Sequence, residues 1–301
     1  MNRREFLSTS LTAAALPAVG IQTRALAQSS GAPPLPAPGA DGWIQLFNGR
    51  NLDNLYTCLR TSGVNNDPQG YVKVENGMLR LMGNPVDERP TETGFVASIR
   101  EFDDCRVRVE YKWGEIVHPP GVATRRDNGL LYRITGPDVV FPTCVEFQIV
   151  QGMYVGDANF LGGSRGTQGA VEGFPTRGHG PAAQPTTTVP LSAEGQPAAG
   201  AGPGGGRGAS GGRGGRGRGG GGGVTREGDF DHPTDWNVVE VVMRGNQSVH
   251  IVNGTVVATI TNLQRPDPQN QGGLLPLTRG KVGMQLYYSE IFVRRIAVQP
   301  L

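Results

Sequence analysis

Glu146 and Gln148 alternate with Val145, Phe147 and Ile149 along one short run. Successive side chains of an extended strand leave opposite faces. If the three apolar residues point inward, the carboxyl and the amide share the outward face. The same spacing groups Leu130, Tyr132 and Ile134 and leaves Arg133 on the other side. It likewise sets Glu110 and Lys112 opposite Val109 and Tyr111. A face that gathered Glu146, Gln148, Arg133 and Lys112 would hold a proton-transfer carboxylate among hydrogen-bond donors. Trp113 or Tyr132 would add an aromatic plane. Carboxylates, amides, guanidinium and flat rings together are what a sugar site needs. A merely solvated face of paired charges has the same pattern, so alternation leaves both readings open.

Other chemistries lack their residues. There is no Gly-x-Ser-x-Gly elbow and no His-Glu-x-x-His, and the glycine-rich stretch has no following Lys-Ser/Thr to make a phosphate loop. His118 and His179 fall in Pro/Gly-rich segments, and His250 alternates with Val249 and Ile251 as a surface or cross-strand residue. His232, in Asp229-Phe230-Asp231-His232-Pro233, sits among acids. A loop hydrogen bond, a base or a metal ligand are all open to it. Cys58, Cys105 and Cys144 show no CxxC or Cys/His spacing and read as small buried residues.

The elements that carry these residues are strands. Val72 and Val74 precede Asn76-Gly77, with Leu79 and Leu81 after it; Val249 and Ile251 precede Asn253-Gly254, with Val256 after it. Asn-Gly between alternating runs marks a two-residue hairpin, because both turn positions need positive φ. Cys105 to Trp113, Trp236 to Met243 and Ile291 to Val298 add further alternating runs, and no segment has a helical period. The expectation is an all-β fold: a two-sheet antiparallel jelly-roll sandwich, with a barrel as the other closed solution.

Both ends of the argument are bounded by composition. Arg3-Arg4-Glu5-Phe6-Leu7, an acid-free run to Ile21 and Ala25-Leu26-Ala27 read as a twin-arginine signal, residues 1–27. An ordinary secretory signal is the other reading. Either predicts an exported, periplasmic protein with no membrane segment in the mature form. Residues 28–40 read as a linker and 41–301 as one domain. Residues from about 178 to 226, dominated by Pro, Ala, Thr and then Gly with Arg207, Arg213, Arg216 and Arg218, read as a disordered insertion. A net charge of +2 gives no mandate for nucleic acid, and the arginines lack the interleaved aromatics of a nucleic-acid segment. The partner expected is a small-molecule or oligosaccharide substrate.

A series of segments in order resembles the 3-keto-disaccharide hydrolase domain family. It begins at Gly42-Trp43-Ile44-Gln45-Leu46-Phe47-Asn48-Gly49 and Val74-Glu75-Asn76-Gly77. It continues through Phe102 to Trp113, Asp127 to Arg133, Val145-Glu146-Phe147-Gln148, Gly156-Asp157 and Trp236 to Glu240. It closes at Gly283-Met284-Gln285-Leu286 and Ile291 to Ile296. The resemblance implies a concanavalin-A-like sandwich with a site on its concave face, acting on glycosides oxidised at the sugar 3-position. It implies Glu146 and Gln148 at the site, Arg133 and Asn128 flanking, and Gln285 and Glu290 contributed by the last strands. Asp157 and His232 become rim or metal candidates, and a divalent ion an open cofactor. Tyr287 and Tyr288 stand where relatives carry small residues. A non-catalytic, lectin-like glycan-binding module on the same sandwich is the alternative function.

Overall fold

Asn76 (φ 51°) and Gly77 (φ 76°) both take the left-handed conformation, as do Asn253 (φ 46°) and Gly254 (φ 84°). Each pair closes a two-residue hairpin and fixes the register of the strands beside it. The computed structural model describes residues 33–84, 92–118, 126–151, 155–162, 168–172, 177–179, 223–225 and 230–301. The proposed signal, residues 1–27, and nearly all of the glycine-rich insertion lie outside the described residues.

Two antiparallel sheets face each other. The first runs β11 (Gln168–Glu172), β16 (Thr255–Pro266), β15 (Gln247–Val252), β14 (Asn237–Arg244), β7 (Cys105–Val117), β19 (Ser289–Pro300), β5 (Met78–Leu81), β4 (Val72–Glu75). Short β1 (Ile44–Gln45) and β17 (Leu274–Pro276) pair onto β19 and β16. The second runs β12 (Arg177–His179), β13 (Gly223–Thr225), β10 (Ala158–Phe160), β9 (Thr143–Val150), β8 (Asp127–Thr135), β18 (Lys281–Leu286), β6 (Gly94–Ser98), β2 (Leu55–Leu59), β3 (Gly63–Val64). No helix occurs among the described residues. The fold is the expected all-β, jelly-roll-like sandwich.

Alternation fills the space between the sheets. Val107, Val109 and Tyr111 of β7 and Ile291, Val293 and Ile296 of β19 meet Val145, Phe147 and Ile149 of β9 and Val282 and Met284 of β18 in one buried cluster. A second, smaller cluster lies on the opposite face of the second sheet: Tyr56, Cys58, Phe95, Ala97, Leu131, Ile134 and Cys144, with Val140 packed on it. Val140 belongs to the segment joining β8 to β9, so this connection covers one half of that outer face. The other half holds polar side chains.

Within β8 the alternation breaks at Arg133. Its φ is 54°, and the β8–β9 register shifts between Tyr132 and Thr135. A bulge of this kind moves every later side chain to the other face. Leu130 and Tyr132 therefore point into the sandwich while Ile134 joins the outer cluster. Arg133 is turned inward and fully buried, donating to the carbonyl of Gly245 at 2.7 Å. Gly280 lies against its backbone, where any Cβ would overlap Arg133 Cα and C.

Candidate active site

The polar half of the outer face is built by four adjacent strands. β9 offers Glu146 and Gln148, and β8 offers Asp127 and Gly129, two residues apart on the face opposite Leu130. β10 pairs Asn159 with Glu146, and β18 brings Gln285 next to β8. Gly129 is required here: a Cβ at this position would overlap the Glu146 carboxylate. Glu146 is 4% exposed. The Asn159 amide donates to its Oε2 at 3.2 Å, and the same amide contacts Gln148 Oε1. The Gln148 amide in turn donates to Asp127 Oδ1 at 2.7 Å. Asp127, Gln148, Asn159 and Glu146 thus form one chain of hydrogen bonds.

No cation among the described residues pairs with either acid, so burial decides their charge. Glu146 is pushed up to about 8: burial raises it most and the nearby Asp127 carboxylate adds to that, while the Asn159 and Gln285 amides pull back toward the ionised form. Burial raises Asp127 to about 7 against the Gln148 amide and the Asn128 backbone N–H, which favour its charge. Asp127 therefore gives up its proton before Glu146 does, each in the range from about 7 to about 8. Oε1 of Glu146 and Oε1 of Gln285 are buried acceptors with no donor. A buried acceptor without a donor is costly, and a ligand hydroxyl would satisfy it.

Tyr287 stands beside the pair. Burial raises its hydroxyl, and the charges of Asp127, Tyr288 and Glu146 raise it further while Arg60 lowers it. Its ring lies 4.6 Å from that of Tyr288 and 6.1 Å from that of Phe141.

A family model described as a 3-keto-alpha-glucoside-1,2-lyase-like domain matches residues 42–299. The chain belongs to this family. No curated protein matches it. Among solved structures it is similar to a candidate glycosyl hydrolase from Parabacteroides distasonis ATCC 8503, at 14% identity over 87% of this chain and 95% of that chain, with a TM-score of 0.46. It is also similar to a beta-glucanase from Bacillus licheniformis, at 13% identity over 86% and 97% of the two chains, with a TM-score of 0.44. The family makes this a glycosyl-hydrolase-like, carbohydrate-active domain.

In this 3-keto-alpha-glucoside-1,2-lyase-like domain the sequence-predicted residues divide cleanly. Glu146, Gln148 and Gln285 meet on the polar half of the outer face. Arg133 does not, because the bulge turns it into the interior. Asn128 also points inward, on the side of Leu130, and its Oδ1 accepts from Gly129 N at 2.9 Å. Lys112 lies on the outer face of the other sheet, paired in register with Phe292. Trp113 is buried in the main core against Tyr111, 5.9 Å between ring centroids, and is no sugar platform. Tyr132 is also inside, its hydroxyl bonded to Ser248 at 2.7 Å and His250 at 2.9 Å. His250 is fully buried rather than on the surface. Glu290 belongs to the other sheet, held by Arg80 Nε at 2.6 Å and by the N–H groups of Glu115 and Ile116.

The two metal candidates differ in place: His232 lies in the loop before β14, and Asp157 just before β10, beside Gln148. His232 is exposed, and its backbone is bonded to the Asn237 side chain. Asp157 supplies its carbonyl to Gln148 N at 2.8 Å, supporting β9. Among the described residues no cluster of three or more His, Cys, Asp or Glu is placed to hold a metal ion.

Sequence reasoning missed Asp127, Asn159, Tyr287 as a site residue, and Phe141. Asp127 was legible. It is an even number of residues from Gly129 and Leu131 and an odd number from Leu130, so alternation puts it outside. Asn159 lies in a strand of three residues, too short for alternation to show.

Proposed function

We propose that this domain cleaves glycosides already oxidised to a ketone at the sugar 3-position, by elimination followed by addition of water. The observation that supports this is the half-buried Asp127 joined through Gln148 and Asn159 to the buried Glu146, two carboxyls raised to about 7 and about 8 with no cation paired to them among the described residues. A C3 ketone acidifies the hydrogen on C2. Asp127, the more readily ionised partner, takes that proton, and the C–H electron pair becomes an enolate. The enolate electrons then form the C1–C2 double bond as the C1–O bond breaks. That bond's electrons leave on the aglycone oxygen, which takes its proton from Glu146. Water adds across C1–C2, placing OH on C1 and H on C2. A base and an acid poised near the working pH are what both proton transfers require. Gln285 Oε1 would accept a sugar hydroxyl and orient the ring.

The test is incubation of the purified domain with 3-keto-glucosides and their unoxidised parents, with and without divalent metal, followed by mass spectrometry. Cleavage of the keto compounds alone is expected, with Glu146→Gln losing at least about 100-fold in kcat. Cleavage of neither, with measurable glycan binding, would instead make this a lectin-like module. We propose separately, from the Arg3-Arg4 leader alone, that the protein is exported to the periplasm. Replacing both arginines with lysine should block export of a fused reporter.

A further inference from the structure

We infer that the aromatic rings beside the carboxyl pair are a subsite for an aromatic leaving group bearing an acidic substituent, so that the preferred substrates are aryl glycosides. The inference rests on the site proposed above and names its substrate class. Three half-buried rings, Phe141, Tyr287 and Tyr288, stand together. Tyr287 follows Gln285 by two residues and lies within electrostatic reach of Asp127 and Glu146. A group stacked on it therefore sits next to the bond that breaks.

The rings are held in place. Phe141 belongs to the connection between β8 and β9, which is pinned to the sheet from both sides. Tyr56 donates to Asp138 Oδ1 at 2.5 Å, while Lys281 Nζ lies 2.8 Å from the Tyr56 hydroxyl and 3.2 Å from Asp138 Oδ1. Ordered rings lose little freedom when a flat ligand stacks on them. A second sugar would bring several hydroxyls to a surface made mostly of carbon, where each loses water without gaining a partner. An aromatic ring brings no such cost and gains offset or edge contacts.

Charge completes the match. Arg60 is exposed, with its guanidinium carbon 5.5 Å from the centre of the Phe141 ring. Its Nε is committed to Thr93 Oγ1 at 2.8 Å. No carboxylate among the described residues pairs with it. A guanidinium fixed at one nitrogen beside an aromatic wall presents its remaining donors to an anion carried by the stacked ring, such as a carboxylate.

The test reads binding, so it does not depend on turnover. Free 4-hydroxybenzoate and free phenol are titrated into the full chain by calorimetry. 4-Hydroxybenzoate should bind more tightly than phenol. Tyr287→Leu should weaken both by about 5- to 10-fold, as expected for losing one stacked ring, while Tyr287→Phe should retain most of the affinity. Arg60→Gln should weaken 4-hydroxybenzoate and leave phenol unchanged. Thermal unfolding of each variant checks that the fold is intact. No binding of either compound, or equal affinity in Tyr287→Leu and the native protein, would overturn the subsite. Binding as described without cleavage of any keto-glycoside would overturn the proposed reaction and leave the subsite standing.

Discussion

Asp127 and Glu146 are ordinary carboxyls made unusual by where the strands put them. Ionising Glu146 is harder while Asp127 is charged. Asp127→Asn removes that charge, so any titration of Glu146 seen in a pH profile or by carbonyl infrared should move to lower pH. The pair also ties stability to pH. Both groups keep a proton in the folded state at pH values where the unfolded chain has released it. Stability is therefore full below about pH 4 and falls as pH rises through the folded values of about 7 and about 8. Glu146→Gln removes one of these groups. Its stability relative to the native protein should grow between pH 5 and pH 8, by on the order of 2 kcal/mol, in urea unfolding at each pH. A gap that stays constant would mean that Glu146 is ionised throughout. Glu146, Gln148 and Gln285 were legible as site residues because nothing interrupts alternation in β9 or the middle of β18. The resemblance implies Asn128 near the site, whereas alternation in β8 puts its neighbour Asp127 on the face of Glu146.

Strands carry the site, and their irregularities decide which residues reach it. The bulge at Arg133 inverts the face of everything after it, and no residue type there announces it: a left-handed arginine is rare. The two glycines next to these features should separate stability from function. At Gly280 a Cβ meets the backbone of Arg133, which cannot move without breaking the bulge. Gly280→Ala should cost about 2–4 kcal/mol in urea unfolding and leave kcat little changed where the protein remains folded. At Gly129 the Cβ meets the Glu146 side chain from Cγ to Oε1, and it is this side chain, not backbone, that must shift. Gly129→Ala should cost little stability but displace the carboxylate, losing on the order of 100-fold in turnover. The Asn-Gly hairpins, by contrast, were readable to the residue, because positive φ at two successive positions admits few sequences. The family resemblance implies Glu290 near the site, and Trp113 is expected as an aromatic plane beside Lys112. Only the pairing of β7 with β19 shows that both belong to the other sheet.

For the molecule as a whole, two sheets follow from the number of alternating runs, and a single domain from the way they pair across the chain. The order of strands does not follow. β18 lies between β8 and β6, and β19 between β7 and β5, although both come from the C-terminal end. Such long-range pairing leaves no local mark. It also explains why an insertion rich in glycine is compatible with the fold. β12 and β13 pair antiparallel, Arg177 opposite Thr225 and His179 opposite Gly223, at the edge of the second sheet. The chain that leaves after His179 therefore returns beside the point of departure. Closing a flexible loop costs about (3/2)RT ln n, so a long one is only slightly worse than a short one. Replacing residues 180–222 with a four-residue turn such as Gly-Asn-Gly-Ser should leave the sheets intact and raise stability by ~2 kcal/mol, measured by urea unfolding. The carboxyl pair lies on β8 and β9, inward of this edge, so cleavage of a 3-keto-glycoside should persist in the shortened chain. A loss of stability would instead mean that residues 180–222 pack on the sandwich, and composition would then have misjudged what so glycine-rich a segment can bury.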